Sequence, residues 1–472
     1  MLFVVLTPYL VSELGPAGYG VWVLVAAATG ILAGLDLGIA AGMSRVVSRQ
    51  VARGERAAVR EVVSDGLALG LAVALAVAAV AVALVPSLVD AIAAVPDRGE
   101  AIAALRLGVA VFVVGVATGV FEGAVLGVGR AERLAALRLG NAALFAVSAV
   151  VVLEAGGGLA ALAAAQLGAM CCSLVAAAVS ARGAVGEPLL RLPGRAGAWR
   201  GREVLAASLP RQASRAWLIG ALQYERYVAG LALGAAAAGG YGVASVLAGG
   251  VAMLLAHGTL PLIPALTHLA VTEGEGRAEA ASRRAMAGFA VLVAGAFGLV
   301  AAVAAPLLAA WVGPRVPVEP RYLQLLCVGF AAWTLTAVAF TAAQALGRGA
   351  LEARAALAGL AAIALAAPVL VEAGGADALA VGTTIGLLAG AATFAVRRGA
   401  PLDEARAPVV AAVAAAVPIA LLNAALLDPF DSPRAAMAAV AMGEALVFAG
   451  AYAALLRAGG FAVKARLRAV RA

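Results

Sequence analysis

Residues 67–89 read LALGLAVALAVAAVAVALVPSLV and contain no charged side chain. An α-helix of this length spans about 35 Å, more than the roughly 30 Å of hydrocarbon in a bilayer. The run therefore predicts a transmembrane helix, in which every backbone polar group is satisfied within the segment. The whole chain has this character, since 64% of its 472 residues are hydrophobic and 13% are charged. Soluble proteins carry about 25% charged residues, so the composition argues against a soluble globular fold.

Thirteen apolar stretches, each at least about 17 residues long, recur along the chain. The first ten residues form a further apolar segment that is too short to cross the membrane. We interpret this segment as the end of a truncated first helix whose beginning would lie upstream. The sequence thus predicts an all-α polytopic membrane protein with about 14 transmembrane helices. The complete stretches are 19–44, 62–89, 106–128, 134–153, 158–181, 204–234, 239–266, 285–311, 322–346, 355–371, 377–396, 407–427 and 435–456.

The basic residues are distributed unequally between alternate loops. Of the 34 basic residues, 26 lie in one set of loops, five lie in the other set and three lie inside the stretch 204–234. Cytoplasmic loops hold the excess of Arg and Lys in membrane proteins. The pattern therefore predicts that both termini are cytoplasmic. It also accounts for the net charge of +8 without nucleic-acid binding.

Two glycine motifs indicate an internal duplication. Leu14-Gly15 and Gly18-Tyr19-Gly20-Val21 open one helix, and Leu233-Gly234 and Gly240-Tyr241-Gly242-Val243 open another, with the Gly-Tyr-Gly-Val motifs 222 residues apart. Leu126-Gly127 and Leu346-Gly347 repeat at 220 residues. Transporter folds are commonly duplicated. The alternative is chance recurrence in a chain with 56 glycines.

The duplication predicts two six-helix lobes in parallel repeat, followed by two extra helices. We assign 1–182 to an N-terminal lobe and 204–396 to a C-terminal lobe. A basic cytoplasmic linker, 183–203, joins them. Residues 397–472 form the last two helices and a basic tail. Within the fourth helix Gly115, Gly119, Gly123 and Gly127 form a ridge that favours close helix packing.

Further motifs point to a family. The chain opens with Pro8-x-Leu10, Leu14-Gly15-x-x-x-Tyr19-Gly20-x-Trp22, Leu35-Asp36-Leu37-Gly38 and Arg45, and its second half contains Glu225-Arg226-x-x-x-Gly230, Gly240-Tyr241-Gly242-Val243-Ala244, Pro261 and Pro264. Together they resemble the polysaccharide-biosynthesis (O-antigen-type) flippases of the multidrug/oligosaccharidyl-lipid/polysaccharide (MOP) exporter superfamily. Glu225 stands where that family more often has aspartate.

This resemblance implies a specific activity. Such flippases move an undecaprenyl-pyrophosphate-linked oligosaccharide across the bacterial cytoplasmic (inner) membrane by alternating access. The implied partners are that substrate, membrane lipids, and a polysaccharide polymerase or glycosyltransferase. The alternatives are a multidrug or cation antiporter of the same superfamily and a lipid II flippase. A membrane glycosyltransferase or polymerase and a non-transporting scaffold are weaker alternatives.

The stretch 204–234 carries the candidate substrate-binding residues. At 100° per residue, Arg211, Arg215 and Arg226 lie within about 60° on one helix face. Arginines inside a membrane span are costly and often functional. We predict that they bind the phosphates of the substrate, as in other arginine–phosphate contacts. The alternatives are a structural ion pair with Glu225 and snorkelling to the headgroups.

Four other titratable residues are candidates for ion coupling or ion pairing. Asp36 and Glu122 lie about 12 to 14 Å from the predicted cytoplasmic end. A desolvated carboxylate at that depth can take up H⁺ or Na⁺. Glu225 and His257 are the other two, and structural pairing or packing is the alternative for each. Gln223 and Gln344 are candidate polar residues of the transport cavity.

Several functional classes are excluded by residues that the chain lacks. Its only lysine is Lys464 and no Gly-rich loop precedes it, so a Walker A ATPase is excluded. Two histidines and three scattered cysteines give no zinc-binding pattern. Predicted outside loops are too short for a catalytic domain. We therefore expect no enzyme activity, no cofactor and no metal site.

Overall fold

The computed structural model describes residues 2–35, 38–185, 201–259, 261–313, 318–346, 348, 350–398, 403–427 and 432–458. All regular secondary structure in these ranges is helical, and twelve segments are long and apolar enough to cross a membrane. The predicted all-α polytopic membrane fold is thereby confirmed. Two compact units divide the chain. The first comprises residues 17–235, and the second comprises residues 3–16 and 236–472.

The described residues up to 234 contain seven helices, of which the first begins before the first unit. They are α1 (Leu2–Ala33), α2 (Ile39–Ala52), α3 (Arg56–Ala91), α4 (Arg98–Gly127), α5 (Ala131–Glu154), α6 (Leu159–Val185) and α7 (Gly201–Leu233). Helix α1 bends at Gly15, whose φ of +68° is one that glycine adopts without a steric penalty. Helix α7 packs against α2 and α3.

The described residues from 235 onward include nine helices. They are α8 (Ala235–His257), α9 (Leu262–Glu273), α10 (Glu275–Ala302), α11 (Ala304–Trp311), α12 (Pro320–Leu335), α13 (Ala337–Ala345), α14 (Ala350–Arg398), α15 (Asp403–Leu426) and α16 (Arg434–Ala458). Helix α14 bends at Gly375 and supplies two membrane-crossing segments. Helices α15 and α16 pack on α10 and α11, where Tyr452 donates a hydrogen bond to the Val291 carbonyl oxygen.

Some predicted spans differ from the observed helices. The predicted span 19–44 is interrupted, because α1 ends at Ala33 and α2 begins at Ile39. Gly38 has a left-handed φ of +66°, which a continuous helix does not allow. The predicted span 239–266 is likewise divided between α8 and α9. Both predicted spans contain a helix break that hydrophobicity alone does not show.

These breaks reveal the duplication in the backbone. Gly15 and Gly234 both have positive φ, of +68° and +89°, immediately before the two helices that carry the Gly-Tyr-Gly-Val motifs. The next break follows α1 in one repeat and α8 in the other. Helices α4 and α12 start at residues 98 and 320, which are again 222 residues apart. Packing groups α7 with the first unit, so the predicted boundary at 203/204 stays a prediction from the repeat.

The glycine ridge of α4 lets α2 approach closely. A Cβ on Gly123 would lie 2.5 Å from the Ala40 carbonyl oxygen, and one on Gly127 would lie 2.7 Å from Cβ of Val47. A Cβ on Gly119 would reach ordinary contact with Ala40, whereas one on Gly115 would meet open space. The close approach therefore occurs at the two glycines nearest the end of α4.

We expect Gly123→Ala to destabilise the protein, because the added methyl group would collide with the α2 backbone. Overpacking of this kind costs about 1–3 kcal/mol. The measurement is the thermal unfolding midpoint in detergent. Gly115→Ala is the matched control on the same helix and should leave the midpoint unchanged or raise it, since alanine favours helix. Equal midpoints for the two variants would contradict the close α2–α4 packing.

Candidate functional site

Helix α7 runs antiparallel to α1 and α2 within the first unit. Gly42 of α2 lies against Ser208 and Val204, near the start of α7. A Cβ on Gly30 of α1 would lie 3.1 Å from the Gln223 side chain. Residues 209–222 of α7 lie between these two contacts. This segment is therefore level with the interruption between α1 and α2.

Two of the predicted phosphate ligands are on that segment. Arg211 and Arg215 lie within α7, but their side chains are outside the described part of the structure. Asp36 lies outside the described residues. The backbone of α7 is helical from Gly201 to Leu233, so the calculated position of the three arginines on one helix face applies. Their role as phosphate ligands stays a prediction.

Around Arg226, α7 is packed against α1. Arg226 is half-buried, and its Nη1 donates a hydrogen bond of 2.8 Å to Oε1 of Gln223. The Tyr227 hydroxyl donates to the Leu24 carbonyl oxygen over 3.0 Å. Glu225 is 2% exposed. Gln223 and Arg226 are therefore joined by a hydrogen bond near the end of the helix face on which Arg211 and Arg215 lie, and Glu225 is buried on the same turn of α7.

Gln223 gives the Arg226 guanidinium a polar partner within α7. Burying a charged group without polar partners would cost several kcal/mol. The carbonyl oxygen of Gln223 accepts this hydrogen bond and orients the guanidinium of Arg226, and the predicted role of Gln223 as a cavity amide stays a prediction. Guanidinium groups carry five N–H donors. Such a group can serve one fixed partner and still bind a phosphate oxygen.

Glu122 forms an ion pair with Arg138 of the next helix. Its Oε2 accepts from Nε and Nη2 of Arg138 at 3.2 and 2.9 Å. The Glu122 side chain is 14% exposed and that of Arg138 is 65% exposed. The sequence analysis did not identify Arg138 as the partner, although a signal was present. Glu122 lies eight residues before Arg130, at the α4–α5 turn, and Arg138 lies eight residues after it, which places both at equal depth.

The remaining candidates belong to the second unit. His257 is exposed at the end of α8, and its Nδ1 hydrogen-bonds to the Met253 carbonyl oxygen at 2.6 Å. This local bond matches the packing alternative for that histidine. Gln344 is exposed near the end of α13. The hydrogen bonds described in the structure do not join His257 to Gln344.

The second unit also contains two polar clusters that the sequence analysis missed. Arg348 donates to Glu275 at 2.7 Å and to Glu279 at 3.2 Å, joining the start of α14 to α10. Asn423 of α15 donates to Glu444 of α16 at 3.0 Å and to the Ala302 carbonyl oxygen at 3.1 Å. Partners in both clusters are far apart in sequence, so no local spacing indicates them.

Comparison with known proteins identifies the fold. No family model matches the chain, and no curated protein matches it. An inward-facing multidrug resistance MATE family transporter of the MOP superfamily matches with a TM-score of 0.69 and 18% identity, over 84% of this chain and 94% of that chain. The lipid II flippase MurJ, in an inward closed conformation, matches with a TM-score of 0.65 and 8% identity, over 92% and 96%.

A third match is a MOP superfamily transporter from Pyrococcus furiosus that is described as having a binding pocket of reversed polarity. Its TM-score is 0.59 at 19% identity, over 83% of this chain and 90% of that chain. MATE transporters and MurJ are both members of the MOP superfamily. At these identities the likeness shows the fold alone, which is that of MOP superfamily transporters and flippases.

We expect Glu122→Gln and Arg138→Gln each to lower thermal stability, because each removes one partner of the ion pair. The double variant should lose less than the sum of the two. Since Arg138 is mostly exposed, the coupling energy should be about 0.5–1 kcal/mol. Thermal unfolding of all four proteins in lipid nanodiscs measures it. Additive losses, together with a pH dependence of transport that changes in Glu122→Gln, would instead favour ion coupling at Glu122.

Proposed function

We propose that this protein is a flippase that moves undecaprenyl-pyrophosphate-linked oligosaccharides across the bacterial cytoplasmic membrane for cell-surface polysaccharide assembly. The observation that carries the proposal is the set of three arginines on one face of a single helix that the sequence predicts to cross the membrane. Arg211, Arg215 and Arg226 lie on α7, which the structure shows as one helix of 33 residues. The proposed mechanism is alternating access, with ion coupling as an option.

A cationic helix face suits a pyrophosphate substrate for physical reasons. The phosphates of a lipid-linked sugar must exchange water for protein donors as the headgroup crosses the bilayer. Arginine offers paired N–H groups that match phosphate oxygens. An arginine at the centre of a membrane helix costs roughly 2.5–3.5 kcal/mol on insertion scales. A function in anion transport explains why the chain maintains such residues.

The shared fold supports a lipid-linked substrate. The alignment with the lipid II flippase covers 92% of this chain, compared with 84% for the MATE transporter. In both comparisons nearly the whole of the other chain is covered. The lipid II flippase therefore aligns with more of this chain, whereas the MATE transporter has the higher TM-score, 0.69 against 0.65, and the higher identity, 18% against 8%. A lipid II substrate remains the alternative within this class.

The proposed location and partners follow from the charge distribution and the substrate. The concentration of basic residues in one set of loops supports the proposal that both termini are cytoplasmic. The oligosaccharide would be assembled on its lipid carrier before transport and polymerised or transferred afterwards. We therefore propose a polysaccharide polymerase or glycosyltransferase as the functional partner. The protein itself would need no cofactor for alternating access.

A second function has specific structural support. MATE transporters share the fold, and the one compared here is described as a multidrug resistance protein. A buried acid such as Glu225, 2% exposed, could attract a cationic substrate. The protein would then be a multidrug or cation antiporter. The three arginines of α7 oppose this alternative, because they would repel cations from the same helix.

We expect Arg215→Ala to abolish flipping, because it removes the cation in the middle of the α7 face. Arg215→Lys should retain part of the activity, since the charge remains without the paired donors. Transport is measured as leaflet-specific accessibility of a fluorescent lipid-pyrophosphate oligosaccharide in proteoliposomes, with and without a pH gradient. Arg457→Ala, at an exposed arginine in the last turn of α16, is the control and should flip normally.

Two outcomes would contradict the proposal. Normal flipping by Arg215→Ala would show that the α7 arginine is dispensable. Absence of flipping by the wild type, together with gradient-driven uptake of organic cations, would establish antiport instead. Insertion of each variant is checked by its yield in the membrane and its elution profile, so that a folding defect is not mistaken for a transport defect.

A further inference from the structure

Two arginines of the first unit lie close together where α5 begins and α6 ends. We call Arg133 and Arg182 the α5–α6 arginine cluster. Both are exposed. The Arg133 Nη1 atom lies 3.9 Å from the position that a Cβ would take on Gly183, the residue next to Arg182. Two guanidinium-bearing residues of neighbouring helices therefore approach each other at this point.

The nearby carboxylates do not neutralise Arg133 and Arg182. Glu122 is engaged by Arg138 at 2.9 Å, and Glu132 lies 3.8 Å from Arg130. Within the described ranges, neither Arg133 nor Arg182 has a carboxylate partner. Like charges held near each other repel, and the repulsion is relieved when an anion binds between them. The cluster thus has the charge of an anion-binding site.

An exposed apolar surface continues from the cluster along both helices. Helices α5 and α6 are neighbours joined by a short turn, so they run antiparallel. Val175 of α6 is 63% exposed and lies about two turns deeper than Arg182 on nearly the same helix face. On α5, Val147 and Val151 are 63% and 61% exposed and lie on nearly the same face as Arg133, deeper along the helix. Charge at one end and apolar surface below it match a phospholipid.

The second repeat provides an internal comparison. Helix α5 begins at residue 131 and its counterpart in α14 begins at residue 350, a shift of 219. With this shift the counterpart of Arg133 is Glu352. The same helix of the fold therefore forms with an acidic residue at this position, so the Arg133 cation is not required for its formation.

We propose that the α5–α6 arginine cluster binds the headgroup phosphate of an anionic phospholipid, whose acyl chains lie along the apolar surface of α5 and α6. Arg133 and Arg182 hold the phosphate between the two helices. Basic pockets between membrane helices bind acidic headgroups in this way. This lipid site is separate from the α7 face and does not depend on the transported substrate.

The test compares phosphatidylglycerol with phosphatidylcholine as probes. The purified full-length protein is titrated with each lipid in neutral detergent, and retained lipid is counted by native mass spectrometry. We expect the wild type to retain phosphatidylglycerol preferentially. The double variant Arg133→Gln/Arg182→Gln should bind it about 30-fold more weakly, since each arginine near an anionic headgroup contributes about fivefold.

Matched variants keep the test decisive. Arg354→Gln changes an exposed arginine in the corresponding region of α14 and should leave phosphatidylglycerol binding unchanged. Arg133→Lys/Arg182→Lys keeps both charges and should retain most of the binding, which separates loss of charge from loss of folding. Equal retention of the two lipids by the wild type would overturn the proposal, as would unchanged binding in the glutamine variant.

A further arm distinguishes the source of the phosphate. Undecaprenyl pyrophosphate is added in competition with phosphatidylglycerol. If it displaces the phospholipid from the wild type at a lower concentration, the cluster is a binding site for the lipid-linked substrate and the proposal is overturned. If phosphatidylglycerol is retained, the proposal is supported. Flipping activity is measured separately, so failure of this site and failure of the proposed transport function give different results.

Discussion

The bilayer offers no water to satisfy backbone amides, and this constraint governs every level of the structure. It forces the chain into helices, and twelve described segments are long and apolar enough to cross. Where a helix is interrupted, glycine adopts a positive φ, which other residues rarely adopt. Gly15, Gly38 and Gly234 all adopt positive φ at breaks next to the Gly-Tyr-Gly-Val helices or their continuation. The same breaks occur in both repeats, so they are properties of the repeated unit.

Because lipid is as apolar as leucine, the hydrophobic effect does little to bring membrane helices together, and close packing must do it. In the first unit this packing depends on glycines, which have no side chain. Gly123 and Gly127 let α2 pack closely against α4. Gly42 makes room for α7, and Gly30 makes room for the Gln223 side chain. These contacts align α7 with the interruption between α1 and α2. The position of the candidate cationic face therefore depends on these glycine contacts in α1, α2 and α4.

Charges inside such a bundle need partners, and the partners differ with location. Glu122 forms an ion pair with Arg138, and Asn423 donates a hydrogen bond to Glu444, each across neighbouring helices. Gln223 orients Arg226 within α7. The α7 arginines and the α5–α6 arginine cluster differ in their surroundings, since one lies on a packed helix and the other on an exposed surface beside apolar side chains. The proposed flippase function uses the first set, and the proposed lipid site uses the second.

The sequence by itself determined the all-α membrane fold, the approximate helix positions and the duplication, because hydrophobic length and glycine motifs are local properties. It also identified α7 as the helix with buried charge. Only the tertiary structure decided where the predicted spans 19–44 and 239–266 break, that Glu122 pairs with Arg138, and that α7 packs with the first unit. These features depend on which helices contact each other, and those contacts are determined by the volume and membrane depth of side chains that are far apart in the chain. A local sequence pattern therefore does not show them, and they are seen only in the folded bundle.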